Sequence, residues 1–281
     1  MHIDSHVHIV GPLDRYPQVA DRTYSAEVAS VEAVRRHGAK RGVSRFVIVQ
    51  PSFYGADNAA TLDALDALSS DGRGVAVIDP AATSAATLSD FHRRGVRGLR
   101  VNLYSPIKAP VGDKLEAAFE ATANRARPLG WHVQVIAPLA TLLAHADVLA
   151  RSPVPVVIDH YGLYGNTRPN SAEGQRLLDL IRAPHVWIKL SAPYRLAEGP
   201  LNTRPARAWV AAMLDAAPDR CVWGSDWPFT PPQDAHRGAA VEVPYRNLSY
   251  EALVDEFIAA LPSAAFADRV MRDNPARLYG F

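Results

Sequence analysis

Two histidines close to the N-terminus, His6 and His8, are the first residues whose type and spacing could do chemistry. Residues two apart on a β-strand point to the same face, so both imidazoles can reach one metal ion or one carbonyl oxygen. Pairs of this kind also occur as ordinary structural histidines. His160 and Asp226 change the interpretation, because they too end predicted strands and would meet the pair at one place. Three imidazole nitrogens and one carboxylate oxygen suit a single Zn²⁺ ion.

Polar side chains stand at the ends of most predicted strands. In a parallel barrel the carboxyl ends of the strands converge at one mouth, where such side chains meet. The sequence therefore predicts a polar site at that mouth. The residues concerned are His6 and His8, Gln50 and Ser52, Arg100 and Asn102, Gln134, Asp159 and His160, Lys189 and Ser191, and Asp226.

Short runs with the composition of β-strands alternate with segments of helical periodicity along the chain. This alternation gives right-handed βαβ units and a parallel sheet. Eight repeats, with polar residues at the strand ends, favour an α/β fold of the (β/α)₈ TIM-like barrel type over an open doubly wound sheet. The predicted strands are 2–8, 45–50, 74–79, 98–102, 131–136, 154–160, 186–191 and 221–226. The predicted helices are 25–40, 58–69, 85–94, 114–129, 141–150, 175–181 and 205–216.

Composition restricts the class of protein. The 281 residues carry 30 basic and 29 acidic side chains, so no basic field exists to attract nucleic acid or an anionic membrane. The single Cys221 excludes an internal disulfide, and no apolar run approaches the roughly 18 residues of a membrane helix. Without linkers or repeats, residues 1–281 are expected to form one domain, and the first residues do not read as a signal peptide. A cytoplasmic enzyme is the expectation.

Eight motifs are spread along the chain: IDSHVHI (3–9), VQPSFYGADNAATLDAL (49–65), RGLRVN (97–102), GWHVQV (130–135), VIDHYG (157–162), VWIKLSAPYRL (186–196), VWGSDWP (222–228) and NPARLYG (274–280). They resemble motifs of the amidohydrolase superfamily, and in particular of its 2-pyrone-4,6-dicarboxylate lactonases. The likeness runs in register from residue 3 to residue 280, which makes it specific although each motif alone is weak. It implies a hydrolase with an amidohydrolase-type TIM barrel, acting on a small lactone that carries a carboxylate.

The resemblance assigns roles to the four residues at the predicted mouth. Asp226 matches the family's general base, which deprotonates water and then returns the proton to the leaving alcohol. His6, His8 and His160 would polarise the carbonyl, either as hydrogen-bond donors or through a bound divalent ion. The lactonases resembled work without a metal, so no cofactor is expected, and a mononuclear zinc held by the same four residues is the alternative. A binuclear site is not expected, because the fourth and seventh strands carry Arg100 and Lys189.

Substrate binding is assigned from the same resemblance. Arg100 and Arg195 match arginines that bind substrate carboxylates, for which a guanidinium fork is well shaped. Ser52, Tyr54 and Asn58 in the loop after the second strand are further candidate donors. Two plainer interpretations stand beside these: Arg195 as a surface residue, and Asn58 as part of the cap of the helix that follows.

The chain departs from the lactonase pattern where a second carboxylate-binding arginine is expected. After RGLRVN it reads LYSPIKAP (103–110), with Pro106 and Lys108, and after VIDHYG it has Leu163, with Arg168 further along. One anion-binding partner is therefore missing or replaced. The substrate is then the pyrone dicarboxylate or a related compound, such as a muconolactone, a sulfonated lactone or a sugar-acid lactone.

Two other functions stay open at this point. A zinc-dependent decarboxylase of the same superfamily would share the two N-terminal histidines, the strand histidine and the terminal aspartate. A catalytically silent barrel that binds organic anions is the alternative outside enzymes, although a binder needs no buried carboxylate aimed at its ligand. The only partner expected is the small-molecule substrate, and the sequence leaves monomer and homodimer open.

Overall fold

The chain folds into a barrel of eight parallel strands that alternate with helices, as the sequence predicts. A computed structural model describes residues 1–104, 114–196, 203–232 and 235–281. The strands follow one another in chain order around the barrel, and each pairs in parallel with the next. They are β1 (His2–Val7), β2 (Val43–Val49), β3 (Gly72–Ala76), β4 (Val96–Asn102), β5 (His132–Ile136), β6 (Val156–Ile158), β7 (Val186–Ser191) and β8 (Cys221–Gly224).

The helices form the outer layer and cover the strands, so most strand residues are buried on both faces. Burial on both faces explains the continuous valine, isoleucine and leucine runs in the sequence. The described helices are α1 (Val31–Ala39), α2 (Ala59–Leu68), α3 (Ala85–Arg93), α4 (Lys114–Ala126), α5 (Leu139–Ala144), α6 (Ala146–Ala150), α7 (Ala172–Arg182), α8 (Arg207–Ala216), α9 (Tyr250–Ala260), α10 (Ala265–Asp268) and α11 (Asn274–Tyr279). None of the described helices is both long and apolar enough to cross a membrane.

The barrel closes between its first and last strands, and this closure positions half of the site. The backbone N–H of Asp226 donates to the carbonyl of His6 at 2.8 Å, and that of His8 donates to the carbonyl of Trp227 at 2.8 Å. The residues just beyond β8 are therefore tied directly to the histidine-bearing end of β1.

Some helices begin or end at other residues than predicted, because an N-cap residue or a β-bridge takes the place of the expected helical turn. The first helix was expected from residue 25, but Ser25 and Ala29 lie in extended β-bridges, and Ser30 accepts from the N–H of Ala33 as the N-cap of α1. The predicted helix 141–150 is two short helices that meet at His145. These differences leave the strand ends, and hence the site, unchanged.

Candidate active site

His6, His8, His160 and Asp226, which the sequence places at strand ends, lie close together at the barrel mouth. The Nε2 atoms of His6, His8 and His160 lie 3.4, 3.3 and 3.9 Å from Oδ1 of Asp226. All four residues are at most 5% exposed. The His6 ring centroid is 5.0 Å from that of His8 and 4.8 Å from that of His160. One carboxylate oxygen thus faces three imidazole nitrogens within a buried cluster.

Two of these residues have a backbone conformation that side chains other than glycine rarely adopt. His160 has φ +50° and Asp226 has φ +63°, both in the left-handed region. Non-glycine residues there cost free energy and cluster at functional sites, where the surrounding structure holds them in place. The turns after β6 and β8 are therefore specialised to present these two side chains.

The two carboxylate oxygens of Asp226 have different surroundings. Oδ2 accepts from the hydroxyl of Tyr194 and from Arg195, whose Nε and Nη2 lie 2.8 and 2.7 Å away. Arg195 Nη2 also donates to the hydroxyl of Thr230 at 2.6 Å. Oδ1 faces the imidazoles and has no hydrogen-bond partner among the described residues. Burial opposes ionisation of Asp226, but the Arg195 guanidinium and the imidazoles hold its pKa well below the usual range.

Hydrogen bonds behind the rings orient two of the histidines. His8 Nδ1 lies 2.7 Å from the carbonyl oxygen of Val49, which can only accept, so Nδ1 carries a proton, and in the Nδ1-protonated neutral tautomer Nε2 presents a lone pair. His160 Nδ1 lies 2.8 Å from the hydroxyl of Ser191, which can donate or accept. Burial lowers the pKa of His160 to about 4, so its ring is neutral near pH 7.

A buried polar network lies behind His6. Lys189 Nζ, fully buried on β7, is 3.3 Å from His6 Nδ1, donates to Gln134 Oε1 at 2.7 Å, and lies 3.6 Å from Asp159 Oδ1. Gln134 Nε2 donates to Asp159 Oδ2 at 2.9 Å. Burial lowers the pKa of Lys189 to about 8, with the Asp159 carboxylate opposing the shift. Burial opposes ionisation of Asp159, but the charge on Lys189 holds its pKa well below the usual range.

Arg100 and Arg195 both lie at this end of the barrel, but each already has an acidic neighbour. Arg100 donates from Nη1 to the Gln50 carbonyl at 3.0 Å, and its Nη2 lies 3.5 Å from Asp159 Oδ2. Arg195 is paired with Asp226, and its side chain is 14% exposed, which argues against a plain surface position. Each guanidinium thus helps to compensate a buried carboxylate.

The three donors expected in the loop after β2 have more local contacts. The Tyr54 hydroxyl accepts from the N–H of Gly11 at 3.2 Å. The Asn58 amide is used by the backbone: it donates to the Val77 carbonyl at 2.7 Å and accepts from the Val77 N–H at 3.0 Å. Ser52 is half-buried and begins a short 3₁₀ turn. No described hydrogen bond links these three side chains to the four convergent residues.

The structure describes two of the four positions that bear on the missing second arginine. Pro106 and Lys108 lie outside the described residues. Leu163 is half-buried, and Arg168 is exposed on the loop before α7.

Lys189, Gln134 and Tyr194 contact the convergent residues or their network, although the sequence suggests no role for any of them. A lysine inside the apolar run VWIKL was the available signal, because a fully buried lysine requires partners. Tyr194 carried no comparable signal, since its contact with Asp226 depends on how two loops meet in space.

The convergent atoms fit the ligand geometry of one zinc ion. His6 Nε2, His160 Nε2 and Asp226 Oδ1 are buried without hydrogen-bond partners among the described residues. Ligand atoms at the usual 2.0–2.1 Å from a tetrahedral zinc lie about 3.3–3.4 Å apart, close to the spacings of His6 and His8 from Asp226. His6, Asp159 and His160 form a second cluster of potential ligands, but the Lys189 ammonium borders it.

Comparison with known proteins gives consistent likenesses. A family model described as amidohydrolase matches residues 3–281. The chain is 32% identical to a 2-pyrone-4,6-dicarboxylate hydrolase of Comamonas testosteroni, over 99% of this chain and 89% of that protein. It is 29% identical to a 4-sulfomuconolactone hydrolase of Hydrogenophaga intermedia, over 99% and 88%. A crystal structure of a putative 2-pyrone-4,6-dicarboxylic acid hydrolase from Pseudomonas putida superimposes with a TM-score of 0.84, at 29% identity and 99% and 97% coverage.

Proposed function

The chain belongs to the amidohydrolase family, and on that premise we propose that it hydrolyses a small lactone that carries an acidic group. The observation that carries the proposal is the buried Asp226 carboxylate, with one oxygen facing three imidazole Nε2 atoms and the other held by Arg195. The relatives named as hydrolases of a pyrone dicarboxylate and of a sulfomuconolactone support an acidic lactone as the substrate class.

In the proposed reaction, Asp226 Oδ1 accepts a proton from water as the water oxygen attacks the lactone carbonyl carbon. The carbonyl π electrons move onto oxygen, and the imidazoles that carry a proton on Nε2 stabilise this oxyanion by hydrogen bonding. When the carbonyl reforms, the ring C–O bond breaks and the leaving oxygen takes the proton from Asp226. The product is the ring-opened hydroxy acid or its tautomer, and Asp226 is an ionised base again.

Arg100 and Arg195 are the proposed anchors for the acidic group of the substrate. Arg195 uses Nε and Nη2 for Asp226 and Thr230, and among the described residues nothing accepts a hydrogen bond from its Nη1. A guanidinium can therefore hold the base with one edge and reach a substrate oxygen with another. Ser52, Tyr54 and Asn58 are proposed as additional hydrogen-bond donors to the substrate. Their expected contribution is smaller than that of the arginines, because the polar atoms of Tyr54 and Asn58 already contact the backbone.

A metal would be held by His6, His8 and Asp226, whose donor atoms are spaced for zinc, with His160 as the candidate fourth ligand, its Nε2 3.9 Å from Asp226 Oδ1. When bound, zinc would polarise the carbonyl and lower the pKa of a coordinated water. We propose that hydrolysis does not require the ion, because the chain supplies its own base and positive charges around the reacting groups. Metal analysis tests this: one equivalent of zinc, lost together with activity on chelation and regained on readdition, would overturn it.

The proposed function is tested with a panel of acidic lactones on chelator-treated protein. The panel comprises pyrone dicarboxylates, carboxylated and sulfonated muconolactones, and sugar-acid lactones, and ring opening is followed by absorbance and by proton release. We expect turnover of at least one member and a loss of about 10²–10⁴-fold in kcat/KM in Asp226→Asn. The exposed Asp219→Asn is the matched control and should match the unmodified chain. Carbon dioxide release without ring opening would instead establish a decarboxylase.

A further inference from the structure

The Nδ1 atom of His6 lies between two opposite charges. The ammonium of Lys189 is 3.3 Å away and the carboxylate Oδ1 of Asp159 is 3.4 Å away, with all three side chains 0–1% exposed. The geometry fulfils hydrogen-bond criteria for the lysine and leaves Asp159 Oδ1 without a hydrogen bond among the described residues. The lysine is therefore the primary partner of this ring nitrogen.

Which neighbour His6 bonds determines where the ring carries its proton. An ammonium can only donate, so a bond from Lys189 requires a lone pair on His6 Nδ1 and places the ring proton on Nε2. A bond to Asp159 would require the reverse, with the proton on Nδ1 and a lone pair on Nε2. The first tautomer donates a hydrogen bond into the pocket, and only the second can bind a metal ion through Nε2.

Gln134 stabilises the arrangement in which the lysine donates. Its Oε1 accepts from Lys189 Nζ at 2.7 Å, while its Nε2 donates to Asp159 Oδ2 at 2.9 Å. The amide thus joins the ammonium to the carboxylate and holds both in place behind His6. Because His6 Nε2 points at Asp226 Oδ1, 3.4 Å away, the state of Nδ1 is transmitted directly to the reacting side of the ring.

We propose that Lys189 is a positioning residue, which keeps the proton of His6 on Nε2 and thereby disfavours binding of a divalent cation by His6, His8, His160 and Asp226. Its positive charge, on the opposite side of the His6 ring from the cation position, opposes the ion further. His6 then serves as a hydrogen-bond donor to the substrate carbonyl. The proposal concerns the same pocket as the proposed hydrolysis, but its measurements do not require turnover, so either can fail alone.

The first test reads the tautomer directly. Chelator-treated protein with ¹⁵N-labelled histidine is examined by long-range ¹H–¹⁵N correlation NMR, with His6 assigned by the loss of its signals in His6→Gln. We expect the Nε2-protonated form in the unmodified chain and the Nδ1-protonated form in Lys189→Met, where Asp159 becomes the partner of Nδ1. An Nδ1-protonated His6 in the unmodified chain would overturn the proposal without any variant at position 189.

The second test measures zinc affinity by competition with a chromophoric chelator. Lys189→Met should bind zinc roughly tenfold more tightly or better, and Asp159→Asn should bind it more weakly by a similar factor. Both variants disturb the same buried network. If Lys189 had only a structural role, the zinc affinity would therefore change in the same direction in both variants. Equal affinities, or a common direction of change, would refute the role of Lys189. If Lys189→Met does not fold, the unmodified spectrum and the Asp159→Asn affinity decide.

Discussion

The two carboxylate oxygens of Asp226 have different roles. Oδ2 is bonded to Tyr194 and Arg195, which fixes the side chain, and Oδ1 is left for the reaction. A general base must be ionised at the working pH, and the Arg195 charge favours that form despite burial. Arg195 therefore has a role at the base itself, besides any contact with substrate.

Replacing Arg195 with Met should move the acid limb of the kcat/KM profile to higher pH. Without the guanidinium, burial raises the pKa of Asp226, so the base becomes protonated, and activity falls, at a pH where the unmodified enzyme is still active. The profile is measured from about pH 5 to about pH 9 on the best lactone of the panel.

Arg100→Met is the matched control for that experiment. Arg100 contacts Asp159 and the Gln50 carbonyl and interacts with Asp226 only through its charge, so its loss should raise KM or cut kcat/KM strongly while moving the acid limb less than Arg195→Met does. If Arg195→Met changes only KM, with an unmoved acid limb, Arg195 acts solely as a substrate anchor.

The sequence predicted which polar side chains converge better than it predicted how they pair. His6, His8, His160 and Asp226 could be found because each follows a recognisable strand, and a barrel brings strand ends together. The pairing of Arg195 with Asp226 depends on how the loops after β7 and β8 meet in space. The pairing of Lys189 with His6 depends on which inward-facing strand residues lie at the same height in the barrel. Neither is encoded by spacing along the chain.

At the scale of elements, one buried carboxylate joins β1 to the turn after β8. Asp4 Oδ1 accepts from the N–H of His6 at 3.1 Å and from the N–H of Ser225 at 2.9 Å, while Oδ2 accepts from the Tyr250 hydroxyl at 3.0 Å. Asp4 thus links the backbone of His6 to that of Ser225, the residue before Asp226. Burial raises its pKa to about 6, although each of these hydrogen bonds favours the ionised form.

Asp4→Ala and Asp4→Asn should separate the hydrogen bonds from the charge. Alanine leaves two buried N–H groups without an acceptor, so we expect a loss of about 2–4 kcal/mol in the free energy of unfolding and a large loss of activity. Asparagine keeps an acceptor oxygen and should fold stably. Denaturant titrations at several pH values provide the measurement.

The pH dependence of these titrations follows from the raised pKa of Asp4. The folded state binds this proton more tightly than the unfolded chain does, so its stabilising contribution is full below about pH 4 and is lost as pH rises through about 6. Asp4→Asn should therefore gain stability relative to the unmodified chain, by up to about 3 kcal/mol, between those limits. A pH-independent difference between the two would contradict the assignment of this carboxyl.

Element boundaries were predicted less well than element order, for local reasons. The segment 25–30 has helical periodicity, yet Ser25 bridges to Glu242 and Ala29 to Val10, and these extended contacts displace the helix start to Val31. Strand order needed no such detail, because consecutive βαβ units leave few ways to build a parallel barrel. The fold was therefore predictable, whereas the loops that complete the site were less so.

At the scale of the whole molecule, the last helix covers the end of the barrel opposite the active site, which we call the barrel floor. Tyr279, on α11, is fully buried against Ile3 of β1 and against Val47, Val49 and Val75 of the next two strands. Asn274, at the start of α11, donates to the Cys221 carbonyl at 2.8 Å, at the beginning of β8. The floor thus links the first and last strands, as Asp4 does nearer the mouth.

Tyr279 allows the contribution of this floor to be measured with a matched pair of substitutions. Its hydroxyl has no hydrogen-bond partner among the described residues, so Tyr279→Phe removes an unsatisfied polar group and should be neutral or stabilising by about 1–2 kcal/mol. Tyr279→Ala leaves a cavity between α11 and three strands and should cost about 3–5 kcal/mol, with kcat/KM unchanged for the folded fraction. Both are read from urea unfolding curves. A Phe variant as unstable as the Ala variant would show that the hydroxyl, rather than the ring, holds the two ends of the chain together.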